Sequence, residues 1–235
     1  MVKKQVDAFL IHGVARDIHP ESYYTTLTEG IRDYIDSSKV ELEFHPVSYS
    51  HLLEDKEKEI LKWFDGMGNH KLREFACYYI CDVLAYAYPK SEPREGDFIY
   101  DVTKLLSNRF DSVNAFSPNS KKIIIGHSLG SIVGYGFTWD RDIDCLITMG
   151  NPHDYFSIRY SNFGRNNPNL VHFYNFWHDN DPVATKVAKN PNFGGVNDIR
   201  VTSLNPLSLL PIRAHSIYWG SKQVHKKIAD IIRKV

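Results

Sequence analysis

Residues 121–134 read "KKIIIGHSLGSIVG". Three consecutive isoleucines, Ile123 to Ile125, run straight into Gly126-His127-Ser128-Leu129-Gly130. An unbroken apolar run of this kind predicts a strand buried on both faces, as in a parallel sheet. The residues that follow predict a helix from Ser128 to about Trp139. Inside a helix Gly130 and Gly134 each cost about 1 kcal/mol relative to alanine, so stability does not explain them. A helix N-cap role for Ser128 explains the serine but not both flanking glycines. A sharp strand-to-helix turn explains all three. Side chains two residues before or after the serine would collide with such a turn, and the serine hydroxyl is left at a helix N-terminus. There the backbone N–H groups favour developing negative charge.

Reading outward, Val6 to Ile11 is a short apolar run that stops at His12-Gly13, a first strand. Glu21 to Ser37 places Tyr24, Leu27, Ile31, Tyr34 and Ile35 at helical spacing. Val40 to Tyr49 alternates as a second strand. Cys145 to Met149 is a fourth, ending in Gly150-Asn151-Pro152. Val171 to Trp177 is a fifth, Ile199 to Thr202 a sixth, and Ser216 to Ile232 a closing helix. Strands alternating with helices predict an α/β fold with a mostly parallel central sheet and helices on both faces. Residues 51–88 read as helical, with Leu72, Phe75, Tyr79, Val83 and Leu84 along one amphipathic face up to Pro89. Asp97 to Phe116 is another helix. The chain is expected to be one domain over 1–235, with 50–117 a helical insertion before the third strand.

The bulk composition narrows the function classes. Of 235 residues, 43% are hydrophobic and 24% charged, and the formal net charge is +0, as expected of a globular chain. No basic tail or stripe points to a nucleic-acid partner. The N-terminal "MVKKQVDAFLIHG" has an apolar run of only Ala8 to Ile11, preceded by Asp7, too short for a signal peptide. No run approaches the ~18 apolar residues of a membrane span. The expectation is a soluble, cytoplasmic protein without an integral membrane segment. The three cysteines, Cys77, Cys81 and Cys145, do not make a disulfide framework. Their spacing is not that of a metal site, and buried thiols are expected. His153-Asp154 and His178-Asp179 are not linked by metal-ligand spacing either, so no metal is expected.

A serine at such a turn needs a base, and the base needs a carboxylate to orient it. In this fold class the chain order is serine, acid, histidine. "FYNFWHDNDPVA" at 173–184 offers Asp179 and Asp181 after the fifth strand, and "PIRAHSIYW" at 211–219 offers His215. The first strand ends in His12-Gly13-Val14, where a second backbone donor facing the serine is expected. The first donor is the N–H of Leu129.

With "GHSLGS", "MGNP", "NFWHDNDPVA" and "AHSIYW" in this order, the chain resembles the α/β-hydrolase superfamily, most of all small bacterial lipase- or esterase-like serine hydrolases. The resemblance runs from Val6 to the end, and 50–117 is its least typical part. Asn151 stands where many relatives have serine. The resemblance implies Ser128 as nucleophile, His215 as base and Asp181 as acid. The N–H groups of Val14 and Leu129 would form the oxyanion hole. It implies cleavage of a carboxylic or lipid ester through an acyl-enzyme, with no cofactor. His12 and His127 would flank the substrate pocket, and Tyr79, on a lid-like helix, would line an acyl pocket. An acyltransferase or thioesterase could use the same machinery, and a non-catalytic binding protein could use the same fold.

Overall fold

The computed structural model describes residues 3–13, 20–52, 97–157, 167, 170–189, 195–203 and 210–235. In chain order these form β1 (Lys4–Ile11), α1 (Pro20–Arg32), β2 (Val40–Val47), α2 (Phe98–Phe116), β3 (Lys121–His127) and α3 (Leu129–Phe137). Then follow β4 (Cys145–Met149), α4 (His153–Ser157), β5 (His172–Trp177), β6 (Val196–Arg200), α5 (Pro211–Ala214) and α6 (Lys222–Lys234). The six strands make one parallel sheet in the order β2-β1-β3-β4-β5-β6.

The continuous apolar runs are explained by a core on each face. Val6, Ala8 and Leu10 of β1, with Ile123 and Ile125 of β3, face α1 and α6 through Tyr24, Leu27, Ile31, Val224, Ile228 and Ile232. The alternate residues Phe9, Ile11 and Ile124 face α2 and α3 through Val102, Leu106, Phe110, Ile132 and Val133. Helix α2 thus belongs to the layer covering the sheet, although it falls within the stretch read as an insertion. The amphipathic helix expected at 71–88, with Tyr79, lies outside the described residues, as do Val14, Cys77 and Cys81. Cys145 is a buried free thiol. Among the described residues no helix is long and apolar enough to cross a membrane.

Two expected elements differ. The sixth strand begins earlier, at Val196, and contains Asn197 and Asp198. Asp198 accepts a hydrogen bond from Asn175 Nδ2 at 2.7 Å, and Asn175 Oδ1 accepts one from Thr148 Oγ1 at 2.9 Å. These three residues lie in register across β4, β5 and β6, so a polar ladder crosses the sheet where an apolar run was sought. The closing helix is not continuous. A 3₁₀ turn over Ile217–Gly220 ends first, and Ser221, in extended conformation, starts α6 by accepting from the Val224 N–H at 3.4 Å.

The strand order reverses around β1. The chain leaves β1 for β2 on one side, while β3 lies on the other. The segments after β1 and β3 therefore diverge at the carboxyl ends of adjacent strands, the position at which open α/β sheets place their ligand sites. His12-Gly13 and Ser128 sit at that point.

Candidate active site

Ser128 follows the last residue of β3 and precedes the first of α3. Its φ of 54° and ψ of −125° are outside the regions an L-residue adopts readily, and it is the one non-glycine with positive φ among the described residues. The neighbouring glycines permit this. A Cβ on Gly126 would lie 2.6 Å from the Gly130 carbonyl oxygen, and one on Gly130 would overlap the Ile11 and His12 carbonyls. A Cβ on Gly13 would run into the Ser128 side chain itself. The turn is pinned to β4 by Ser128 N–H donating to the Met149 carbonyl at 2.9 Å.

The Ser128 hydroxyl is fully buried and makes no hydrogen bond among the described residues. It does not cap the helix. Leu129 is the first residue of α3, so its N–H belongs to the first turn, whose donors lack an intrahelical acceptor.

His215 and Asp181 are brought together. Both are buried, and His215 Nδ1–H points between the two carboxylate oxygens at 3.0 Å from each. Asp181 Oδ1 also accepts from the Val183 N–H at 2.9 Å and the Ala184 N–H at 3.3 Å, and Oδ2 accepts from Tyr218 OH at 2.7 Å. Burial alone would raise the Asp181 pKa. The hydrogen bond and charge of His215, with the donors Tyr218 and Val183, outweigh burial and hold it below the ordinary value. Asp179 is exposed and paired with Arg200, whose Nε donates at 2.8 Å.

The imidazole and carboxylate pack on Gly150, whose φ is 59°. A Cβ there would lie 2.9 Å from His215 Cε1 and 3.1 Å from Asp181 Oδ2. Met149 holds the Ser128 amide, and the next residue, Gly150, carries the His215–Asp181 pair.

His127 and His12 are both buried. His127 Nε2–H donates to the His215 carbonyl at 2.7 Å, and the two rings are 4.7 Å apart. Burial, with the His215 ring beside it, pushes the His127 pKa down to about 3. His12 Nδ1–H donates to the Gly13 carbonyl, its Nε2 accepts from the Tyr49 N–H at 3.3 Å, and its ring stacks on Tyr49 at 4.4 Å. Burial pushes its pKa down to about 4. Both are therefore neutral near pH 7, each with its ring hydrogen bonded to backbone. Neither ring has the carboxylate partner that His215 has.

Gly13, Gly150 and Tyr218 complete these surroundings and were not singled out from the sequence. Gly13 follows directly on a strand end, and Tyr218 lies inside "AHSIYW", three residues after His215. Chemically, an imidazole whose Nδ1–H is held by a carboxylate has its Nε2 available for a proton. A serine hydroxyl at a helix N-terminus is placed to give one up.

No family model matches the chain, and no curated protein matches it. Solved structures do. An α/β serine hydrolase homologue from Coxiella burnetii superposes with a TM-score of 0.53 at 10% identity, covering 100% of this chain and 86% of that one. Est1E from Butyrivibrio proteoclasticus gives a TM-score of 0.53 at 10% identity, covering 100% of this chain and 90% of the other. At such identities the likeness is one of fold, and it extends over the whole chain. The protein has the α/β-hydrolase fold.

Proposed function

We propose that the protein is a serine hydrolase, a single-domain enzyme that cleaves a carboxylic or lipid ester through an acyl-enzyme on Ser128. One observation carries the reading: a strained, buried serine with an unpartnered hydroxyl is tied to Met149, and a buried histidine–aspartate pair packs on the next residue, Gly150. In the first step His215 Nε2 takes the Ser128 proton as Oγ attacks the ester carbonyl. Asp181 holds the imidazole through Nδ1 and stabilises its charged form. The oxyanion of the tetrahedral intermediate is received by the N–H of Leu129 and, in this proposal, the N–H of Val14. One such donor contributes about 2.7–4 kcal/mol to the barrier reduction. His215 then protonates the leaving alcohol. The same nitrogen then takes a proton from water as its oxygen attacks the acyl carbonyl, and returns it to Ser128 Oγ as the acid leaves. A hydroxyl without a partner in the free enzyme suits this cycle, because catalytic hydrogen bonds often tighten only when substrate is bound.

In this proposal His12 and His127 shape the pocket walls, and Tyr79, in the segment whose sequence predicts a helix over 71–88, lines the acyl side. An apolar acyl pocket gains about 0.8 kcal/mol per buried CH₂, so two added carbons are worth about tenfold while room lasts. The test is a p-nitrophenyl ester series from acetate to palmitate on wild type and Ser128→Ala. Hydrolysis by wild type, lost by orders of magnitude in the variant, is the expected result. Equal rates in the two proteins would remove Ser128 from the chemistry.

A further inference from the structure

The carboxylate that holds His215 has a second side-chain donor that the mechanism above leaves unused. Tyr218 is fully buried, and its OH donates to Asp181 Oδ2 at 2.7 Å. The two side chains reach one carboxylate from either side of a cap: His215 precedes Ser216, the N-cap of the 3₁₀ turn Ile217–Gly220, and Tyr218 is the second residue of that turn. His127, which also faces Asp181, is neutral and held by the His215 carbonyl.

We infer that Tyr218 is a positioning residue: its hydroxyl, held on Asp181 Oδ2, sets how strongly the carboxylate orients and polarises His215. A phenol donor on an ionised carboxylate is a charge-assisted bond, roughly twice as strong as a neutral one. It withdraws part of the negative charge otherwise available to the imidazolium. Removing it leaves a more basic carboxylate, which favours the protonated histidine, so the pair takes up its proton at higher pH. The same loss frees the carboxylate to rotate, because Oδ1 keeps its two backbone donors while Oδ2 keeps none but His215.

The inference rests on the proposed function for its catalytic consequence but not for its titration. Tyr218→Phe retains the ring, which packs 5.9 Å from His127, and deletes only the hydroxyl. Two measurements are made on wild type and Tyr218→Phe: the kcat/KM–pH profile on the best p-nitrophenyl ester, and the pH titration of the histidine ring protons by NMR. The expected result is an acid limb and a dyad titration midpoint both moved to higher pH, by about half a unit to one unit. kcat should fall several-fold with KM little changed. Tyr218→Leu, which loses ring and hydroxyl, should share the shifted midpoint and melt lower. A midpoint unmoved in Tyr218→Phe overturns the inference whatever the enzyme hydrolyses, and so does a Phe variant that cannot fold, since the hydroxyl then serves stability. A shifted NMR midpoint in a protein that hydrolyses no ester keeps the inference and removes the proposed function.

Discussion

Ser128 combines two unfavourable features, a positive φ and a buried hydroxyl without a partner among the described residues. Each costs of order 1–3 kcal/mol, and neither is needed by the sheet. Ser128→Ala removes the second cost while keeping the turn. We therefore expect this variant to be inactive and to melt at or above the wild-type temperature, as calorimetry would read. A clearly lower melting point would make the hydroxyl a structural group. The two aspartates differ in the same local way. Asp181 is buried on His215, whereas Asp179 is exposed on Arg200. Asp181→Asn cannot stabilise an imidazolium and favours the wrong tautomer, so kcat should fall by about 10⁴, the loss that this change causes in serine proteases. Asp179→Asn breaks an exposed pair, worth at most about 1 kcal/mol, and should leave kcat near wild type. A reversed order of the two effects would move the acid by two residues. "HDND" presents both carboxylates two positions apart, and the sequence by itself offers either. Their separation depends on Arg200, which reaches Asp179 because Arg200 stands opposite Trp177 in the sheet register, a contact made across strands.

The strand-to-helix unit built on β3 and α3 is the element most legible in the sequence. Three isoleucines and a glycine-flanked serine suffice, because both features answer to local geometry. Its glycines are tested against one elsewhere. Gly130→Ala gains helix propensity but drives a methyl into two β1 carbonyls, and backbone cannot yield as a flexible side chain does. We expect a loss of about 1–3 kcal/mol or more with activity falling alongside. A Cβ on Gly220 meets nothing within 4 Å. Gly220→Ala should be neutral or stabilise by about 0.4–1 kcal/mol, and urea denaturation of both variants checks the contrast. Other elements were less legible for physical reasons. β6 carries Asn197 and Asp198, and its polarity is satisfied by a ladder to β5 and β4, which no apolar pattern reveals. The 3₁₀ turn before α6 shares its apolar spacing with a helix, so only the Ser221 cap and the exposed Gly220 mark the break. Tyr218 lies in that turn, and its hydroxyl reaches Asp181 on a different loop, a contact that spacing within the turn does not encode.

Over the whole molecule, alternating cores on the two sheet faces explain why apolar runs located most strands correctly while saying little about buried polar groups. Those groups govern the response to pH. His12 and His127 have folded pKa values near 4 and 3, both lowered by burial, against about 6.5 in an unfolded chain. Below pH 6.5 the unfolded chain binds protons that the folded one refuses, so stability present above 6.5 is lost as pH falls. At pH 5 each histidine contributes a loss of about 2 kcal/mol by this linkage. Asp7, whose burial is outweighed by donors from Ser120 and His45, and Asp181 both have lowered pKa values. Their stabilisation is present above the ordinary carboxylate range and is lost as pH falls further, through their folded values. Melting temperature should therefore hold from pH 8 to 7 and drop steadily from 6.5 to 4. A flat profile over that interval would mean that the two histidines accept protons in place. The central claim, that Ser128 is the nucleophile of a serine hydrolase, is tested most directly by intact mass after treatment with a fluorophosphonate. Wild type should gain one phosphonyl adduct, mapped to the peptide containing Ser128, and Ser128→Ala should gain none. Wild type left unmodified, or both proteins modified alike, would contradict it.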